Sequence, residues 1–451
     1  MKSRPNLKNF FYLVCSGLIV QLAGSIYRIW LARTIGSEGL GILQMIYPVY
    51  RLLSGVATIG LPLALTKWVS EYLASGEYLK ITQLKKWGVK IVAISSILIT
   101  SLLYFSTPFM SKYIFTDPRV HEALLVVAFA IPFSALSAMY RGYFQGSSLM
   151  APTAVSEIIE QLFEISAAVI LVEILLKMMP FSTYTAPVFG LTLGEVACFI
   201  TLLFFLNNHK ISSAIPAVEP ELSLPHSQIF RYSWPILLNQ IVVSISMASE
   251  GVIIPHLLIS NGFASTVSTG LFGKLTGMAE PIAYFPLIFL SPLGSVISPQ
   301  VSSAFKTKSF TKIQRKISLF YLTSAFLCLL SFLLILFMAN PLSRFLYNDL
   351  SPALLIKLLV IGLPFTGIAI LNISILAAVG VTDKILIISI WGVGLKTFAL
   401  IVLVPLFGII GAAWAINITQ IFTCLSSLYE LSRVLPRSGG SNFINLFSPA
   451  K

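Results

Sequence analysis

Uninterrupted apolar runs, one after another along 451 residues, decide what this chain can fold into. A bilayer-spanning helix needs about 18 to 20 such residues, and no loop or open sheet edge survives in hydrocarbon, where backbone polar groups find no water. Twelve runs satisfy that length, at about 9–33, 39–68, 87–107, 120–145, 151–176, 185–207, 229–256, 270–304, 317–339, 352–378, 384–405 and 409–432. The predicted class is therefore all-α, a polytopic membrane protein of about twelve transmembrane helices. Composition agrees: 56% of residues are hydrophobic, 10% are charged and the mean hydropathy is +0.89, against about a quarter charged in soluble domains. The longest runs, 39–68 and 270–304, hold Pro48, Pro62, Pro281, Pro286, Pro292 and Pro299. Proline removes a helical donor, so kinks or breaks are expected there.

The net charge of +13 could suggest nucleic acid, but no basic stripe interleaved with exposed aromatics is present, so no nucleic-acid partner is expected. The charge instead follows the positive-inside rule. Lys2, Arg4, Lys8, the Lys80–Lys90 cluster and Lys306 to Lys316 fall on one side, and far fewer, Arg33, Lys112, Arg119, Lys177 and Arg344, fall on the other. Both termini are predicted to be cytoplasmic. The N-terminal run has no small-x-small cleavage site and reads as a retained helix. The stretch 305–317, FKTKSFTKIQRKI, is either an amphipathic connector touching anionic membrane lipid or a plain positive-inside loop. Cys15, Cys198, Cys328 and Cys424 lie far apart and the four histidines are scattered, so neither a disulfide framework, a metal site nor a cofactor is expected.

The loop 209–228 carries Pro216, Pro220 and Pro225 and is read as a cytoplasmic linker between an N-lobe, 1–208, and a C-lobe, 229–451, of six helices each. A weak repeat supports the division. LIVQLAGSIYR (18–28) matches QIVVSISMASE (240–250), and IGLPLALTKWVSEYLA (59–74) matches LSPLGSVISPQVSSAF (290–305). AIPFSALSAM (130–139) matches GLPFTGIAIL (362–371), and PVFG (187–190) matches PLFG (405–408). Six is even, so the repeat is parallel.

Charges inside the spans are the candidate site, because an unpaired charge at the bilayer centre costs about 3 kcal/mol on the mildest scale. By the repeat, Arg28 corresponds to Glu250, Arg51 to Glu280 and Glu164 to Lys396, each pair opposite in sign. They either line a cavity between lobes or act as struts within each lobe. Glu157, Glu160 and Glu164 share one helix face by their i, i+3, i+7 spacing. They form a proton or cation relay, or Arg141 neutralises the shallower ones. Arg28 and Arg51, with Lys274 adding charge, suit an anion such as phosphate, which guanidinium grips in a bidentate fork. The alternative is that they are countercharges for Glu250 and Glu280. No Ser/His/Asp arrangement or large external loop points to an enzyme.

The stretches LARTIGSEGLGILQMIYPVY (31–50), GLPLALTKWVSEYLASGE (60–77), RGYFQGSSLMAPTAVSEIIEQ (141–161) and FPLIFLSPLGSVISPQVSSAF (285–305) resemble the multidrug/oligosaccharidyl-lipid/polysaccharide flippase superfamily. The similarity is to its sporulation and oligosaccharide-flippase branch. The resemblance implies a MATE-like, V-shaped pair of six-helix lobes and alternating access. It also implies a lipid-linked sugar as cargo, of the undecaprenyl-pyrophosphate type, for wall, spore-cortex or surface-polysaccharide synthesis. In the lipid II branch cavity arginines on the first two helices are needed, and Arg28 or Arg33, with Arg51, lie near those places. The basic residue that branch carries before its FP pair is replaced here by Met278, Ala279 and Glu280. A cation-coupled multidrug exporter of the same fold is the alternative, with a glycan polymerase or wall-assembly scaffold behind it. A monomer is expected.

Overall fold

The computed structural model describes residues 7–178, 184–208, 225–290, 297, 301 and 310–434. Residues 209–224 of the expected linker, residues 305–309 of the connector 305–317, and Pro292 and Pro299 lie outside the described residues. All regular structure among the described residues is helical. The helices divide into two compact units, Met1–Val252 and Ile253–Lys451. Eight described helices are long and apolar enough to cross a membrane, and a bent pair makes a ninth. Many of their large apolar side chains, including Phe105, Phe337, Trp391 and Phe398, stand exposed. That surface suits lipid, because water-facing monomers do not carry apolar area on this scale.

The first unit opens with α1 (Leu7–Thr34) and α2 (Gly36–Thr58). The run predicted as one span at 39–68 is two helices. Ile59 and Gly60 both adopt left-handed backbone, φ 54° and 68°, and α3 (Leu61–Ser75) starts with Pro62 in its first turn. Proline there lacks a donor that the helix start leaves unused anyway. Pro48 stays inside α2. Gly60 is needed twice over, since a Cβ there would also lie 2.6 Å from the Ser233 carbonyl oxygen. Gly60→Ala is therefore expected to cost about 2–4 kcal/mol, from left-handed strain plus overpacking. A thermal melt of the detergent-solubilised protein would read it as a lower Tm.

Next come α4 (Tyr78–Phe109), α5 (Val120–Ala128) and α6 (Ala130–Gly146). The last two meet at 41°. The cause is Pro132, which cannot donate to the Ala128 carbonyl one turn back. The Thr100 hydroxyl donates to that carbonyl instead, at 3.2 Å, so the bend leaves no orphan acceptor in the membrane. Two glycines one turn apart on α6 bring it against α3: added Cβ atoms at Gly142 and Gly146 would lie 2.4 Å from the Pro62 carbonyl and 2.7 Å from the Thr66 carbonyl. Thr66 Oγ1 donates to the Gly142 carbonyl at 3.0 Å across that contact.

α7 (Ala151–Met178) and α8 (Ala186–Asn208) pack by the same device. Gly190 and Gly194 of α8 lie on the backbone of Glu164 and Glu160, where Cβ atoms would come within 2.5 and 2.8 Å of the two carbonyl oxygens. Small residues spaced by four let membrane helices approach backbone to backbone. α9 (His226–Ser260) begins within the last residues of the expected linker, and its first part packs within this unit. His226 meets Trp87, Tyr232 meets Trp68, and Gly251 approaches Met45.

In the second unit, α10 (Ser265–Phe272) runs into a π-helical turn at Gly273–Ala279 and then α11 (Glu280–Ala283). The expected span 270–304 is thus continuous through a π-helical turn ahead of Pro281 and is interrupted by a turn at 284–286, where Pro286 lies. α12 (Phe310–Tyr347), α13 (Pro352–Leu359), α14 (Leu363–Val379), α15 (Thr382–Phe407) and α16 (Ile409–Val434) follow. Buried amides tie this unit together. Tyr321 Oη donates to Asn372 Oδ1, Asn372 Nδ2 to Ser427 Oγ at 2.9 Å, and Asn417 Nδ2 to the Leu358 carbonyl at 2.8 Å. One repeat match loses its register here. PVFG sits in the opening turns of α8, whereas PLFG closes α15 at Gly408, φ 60°. The two tetrapeptides mark different ends of a helix: Gly190 packs against α7, whereas Gly408 has nothing within 4 Å of an added Cβ.

Candidate functional site

α7 carries the candidate site of the first unit. Its Glu157, Glu160 and Glu164 do lie along one face, and α6 and α8 flank that face. Arg141 of α6 reaches it with Nη2 at 3.0 Å from Glu160 Oε2 and Nη1 at 3.9 Å from Glu157 Oε1. The same Nη2 lies 3.4 Å from Cys198 Sγ on α8. The pairing of Arg141 with the shallower glutamates, one of the two sequence-based alternatives, is therefore present, and it includes Glu160.

Glu164 is different. It forms no ion pair with Arg141; its contact is a long hydrogen bond from Gln161 Nε2, 3.4 Å. It stands in the electrostatic field of Arg28 from α1 and Arg51 from α2. Both of these guanidinium groups are exposed. Tyr27 and Tyr47 belong to the same neighbourhood, and each has a buried hydroxyl with no hydrogen-bond partner among the described residues. Three helices thus place two cations, one carboxylate and two phenols together.

The sequence reading missed a member. Glu195 of α8 is 6% exposed. Its Oε1 accepts a hydrogen bond from Tyr50 Oη of α2, and Glu160 and Arg141 act on it electrostatically. The signal was available: a lone glutamate directly after GLTLG in an otherwise apolar run, which is a functional candidate by default.

Of the remaining predicted residues, Glu250 belongs to the first unit and Lys274, Glu280 and Lys396 to the second. Glu250 lies on α9. Lys274 sits in the π-helical turn, 3.6 Å from Asp349 Oδ2. Glu280 opens α11, and Lys396 is 9% exposed on α15. Cys198, Cys328 and Cys424 are buried free thiols. Among the described residues no group of three His, Cys, Asp or Glu could hold a metal ion.

Comparison with known proteins follows this geometry. The family model for the polysaccharide biosynthesis protein family matches residues 6–305. Stage V sporulation protein B of Bacillus subtilis (strain 168) is 27% identical over 97% of this chain and 86% of that protein. Lipid II flippase MurJ of the same organism is 23% identical, covering 96% and 83% respectively. Among solved structures, an inward-facing multidrug resistance MATE family transporter of the MOP superfamily aligns with TM-score 0.75 at 14% identity, over 93% of this chain and 98% of that one. The inward closed conformation of lipid II flippase MurJ aligns with TM-score 0.71 at 17% identity, over 93% and 87%.

Proposed function

This chain belongs to the polysaccharide biosynthesis protein family, within the multidrug/oligosaccharidyl-lipid/polysaccharide flippase superfamily of membrane transporters, and from that premise we propose that it flips a lipid-linked sugar across the bacterial plasma membrane. The cargo is of the undecaprenyl-pyrophosphate class, used in wall, spore-cortex or surface-polysaccharide synthesis. One observation carries the reading: two exposed guanidinium groups, Arg28 and Arg51, on neighbouring membrane helices around Glu164. An always-charged, bidentate donor suits a pyrophosphate. An exposed arginine on a membrane helix needs water or an anion beside it. Glu164 is the resident anion whose place in that field the cargo phosphates take. The lipid tail stays in the bilayer while alternating access moves the head group. Both termini lie in the cytoplasm, on the side of the Lys80–Lys90 cluster. Two relatives named as a sporulation protein and a lipid II flippase support the cargo class.

The test is transfer of a fluorescent undecaprenyl-pyrophosphate sugar across the membrane of proteoliposomes holding the full-length protein. Wild type is expected to move it. Arg28→Ala and Arg51→Ala are each expected to slow transfer roughly tenfold or more, the loss of one charge-assisted contact worth about 1.5–3 kcal/mol. Arg51→Lys should fall between them and wild type. If wild type moves no such lipid but expels cationic drugs, the multidrug-exporter reading replaces this one.

A further inference from the structure

Glu195 accepts a hydrogen bond from Tyr50, the residue before the proposed cargo arginine Arg51, and its surroundings are unbalanced. The groove between α6, α7 and α8 holds three carboxylates, Glu157, Glu160 and Glu195, and one guanidinium, Arg141. Arg141 is committed to Glu160 and Glu157, and no ion pair reaches Glu195 among the described residues. Glu195 Oε1 has the Tyr50 hydroxyl as donor, and the Ser134 hydroxyl stands by the same carboxyl group. Its Oε2 is fully buried and has no hydrogen-bond partner among the described residues. A bare carboxylate oxygen in a dry site costs several kcal/mol unless something neutralises it. Two occupants could, a metal cation or a proton. A metal cation needs several oxygens around it, and no group of three His, Cys, Asp or Glu is arranged to hold one among the described residues. A proton needs the one oxygen.

We propose that Glu195 is a proton-binding site: during the transport cycle its Oε2 takes a proton from water and gives it back, with Tyr50 transmitting the change. One O–H bond forms and breaks, and no electron is transferred. The titratable and charged groups that act on Glu195 are Glu160 from α7, Arg141 from α6 and Tyr50 from α2. α5 also packs on α8, and the contact there is Thr192 Oγ1 to the Val126 carbonyl, 3.4 Å. Glu160 keeps a quarter of its side chain exposed and is the wet neighbour through which the proton enters. Tyr50 immediately precedes Arg51 in α2. With Glu195 ionised, Tyr50 donates to a full negative charge; with Glu195 neutral, that hydrogen bond weakens toward the neutral–neutral strength, about half. The turn of α2 that presents Arg51 is held more loosely as a result. The link to Arg51 rests on the cargo reading above; the proton site does not.

Infrared difference spectroscopy of the full-length protein in lipid nanodiscs, titrated with acid and with no cargo added, tests it. Expected is a C=O stretch of a protonated carboxyl that grows as pH falls in wild type. It should be lost in Glu195→Gln and kept in the surface variant Glu71→Gln. Tyr50→Phe keeps the acid but removes its donor, so the band should persist at a shifted frequency, which covers the case in which Glu195→Gln does not fold. A wild-type spectrum without such a band, a band that Glu195→Gln leaves intact, or one unmoved by Tyr50→Phe overturns the proposal. So does a band that follows sodium at fixed pH. Since no cargo is added, failure to transport a lipid-linked sugar would leave these spectra unchanged.

Discussion

Gly190→Val should abolish a monodisperse folded protein, whereas Gly394→Ala, also in the interior of a membrane helix, should leave it intact. The difference lies in what the new side chain meets. At Gly190 a Cβ falls 2.5 Å from the Glu164 carbonyl oxygen and 2.8 Å from Ala168 Cβ. Backbone cannot yield as a flexible side chain can, so α7 and α8 must separate. Overpacking of a close-packed interior costs about 1–3 kcal/mol for a modest clash, and this one exceeds it, because two further methyl groups follow the Cβ. At Gly394 nothing lies within 4 Å, so alanine is expected to be neutral or to stabilise by about 0.5–1 kcal/mol through lost unfolded-state freedom. Fluorescence-detected size-exclusion chromatography separates the outcomes. A normal Gly190→Val peak with an unchanged Tm would mean that α7 and α8 are not in backbone contact.

The second large effect is expected at Arg141. Its removal as Arg141→Leu strands Glu160 and Glu157 beside Glu195. Breaking one side of a buried pair costs about 3–5 kcal/mol. The side chains here keep 22%, 26% and 31% exposure, so the low end of that range, about 3 kcal/mol, is expected as a Tm loss. The double variant Arg141→Leu with Glu160→Leu should recover much of it, since no unpaired charge then remains at the closest contact. No recovery would show that Arg141 acts mainly through packing rather than charge.

The all-α, multi-span membrane class was legible in the sequence because it depends on run length and charge count alone. So was the shared face of Glu157, Glu160 and Glu164, a matter of helical period. Breaks were legible less well. Proline marked the runs in which they occur, but the turn at Ile59–Gly60 is set by the close passage of the Ser233 carbonyl, a contact 173 residues away along the chain. Glu195 was passed over because span 185–207 reads as uniformly apolar when averaged. Its partner Tyr50 looks like any membrane tyrosine until the fold brings it across. The backbone contacts at Gly142, Gly146, Gly190 and Gly194 were written as two four-residue spacings, GYFQG and GLTLG, but which helix each meets depends on the tertiary arrangement.

α9 has a consequence for the order of assembly. The first compact unit ends at Val252, well inside this helix, so its packing includes residues made after the connection at 209–224. During synthesis the first six membrane helices emerge with a vacant flank, where Trp68, Trp87 and Gly60 await His226, Tyr232 and Ser233. Chains fold as they are made, amino-terminal parts first, but this unit cannot close until its successor has begun. A ribosome that stalls in the linker therefore holds an unfinished structure, and a gene cut there would yield two fragments that each lack a surface the other supplies.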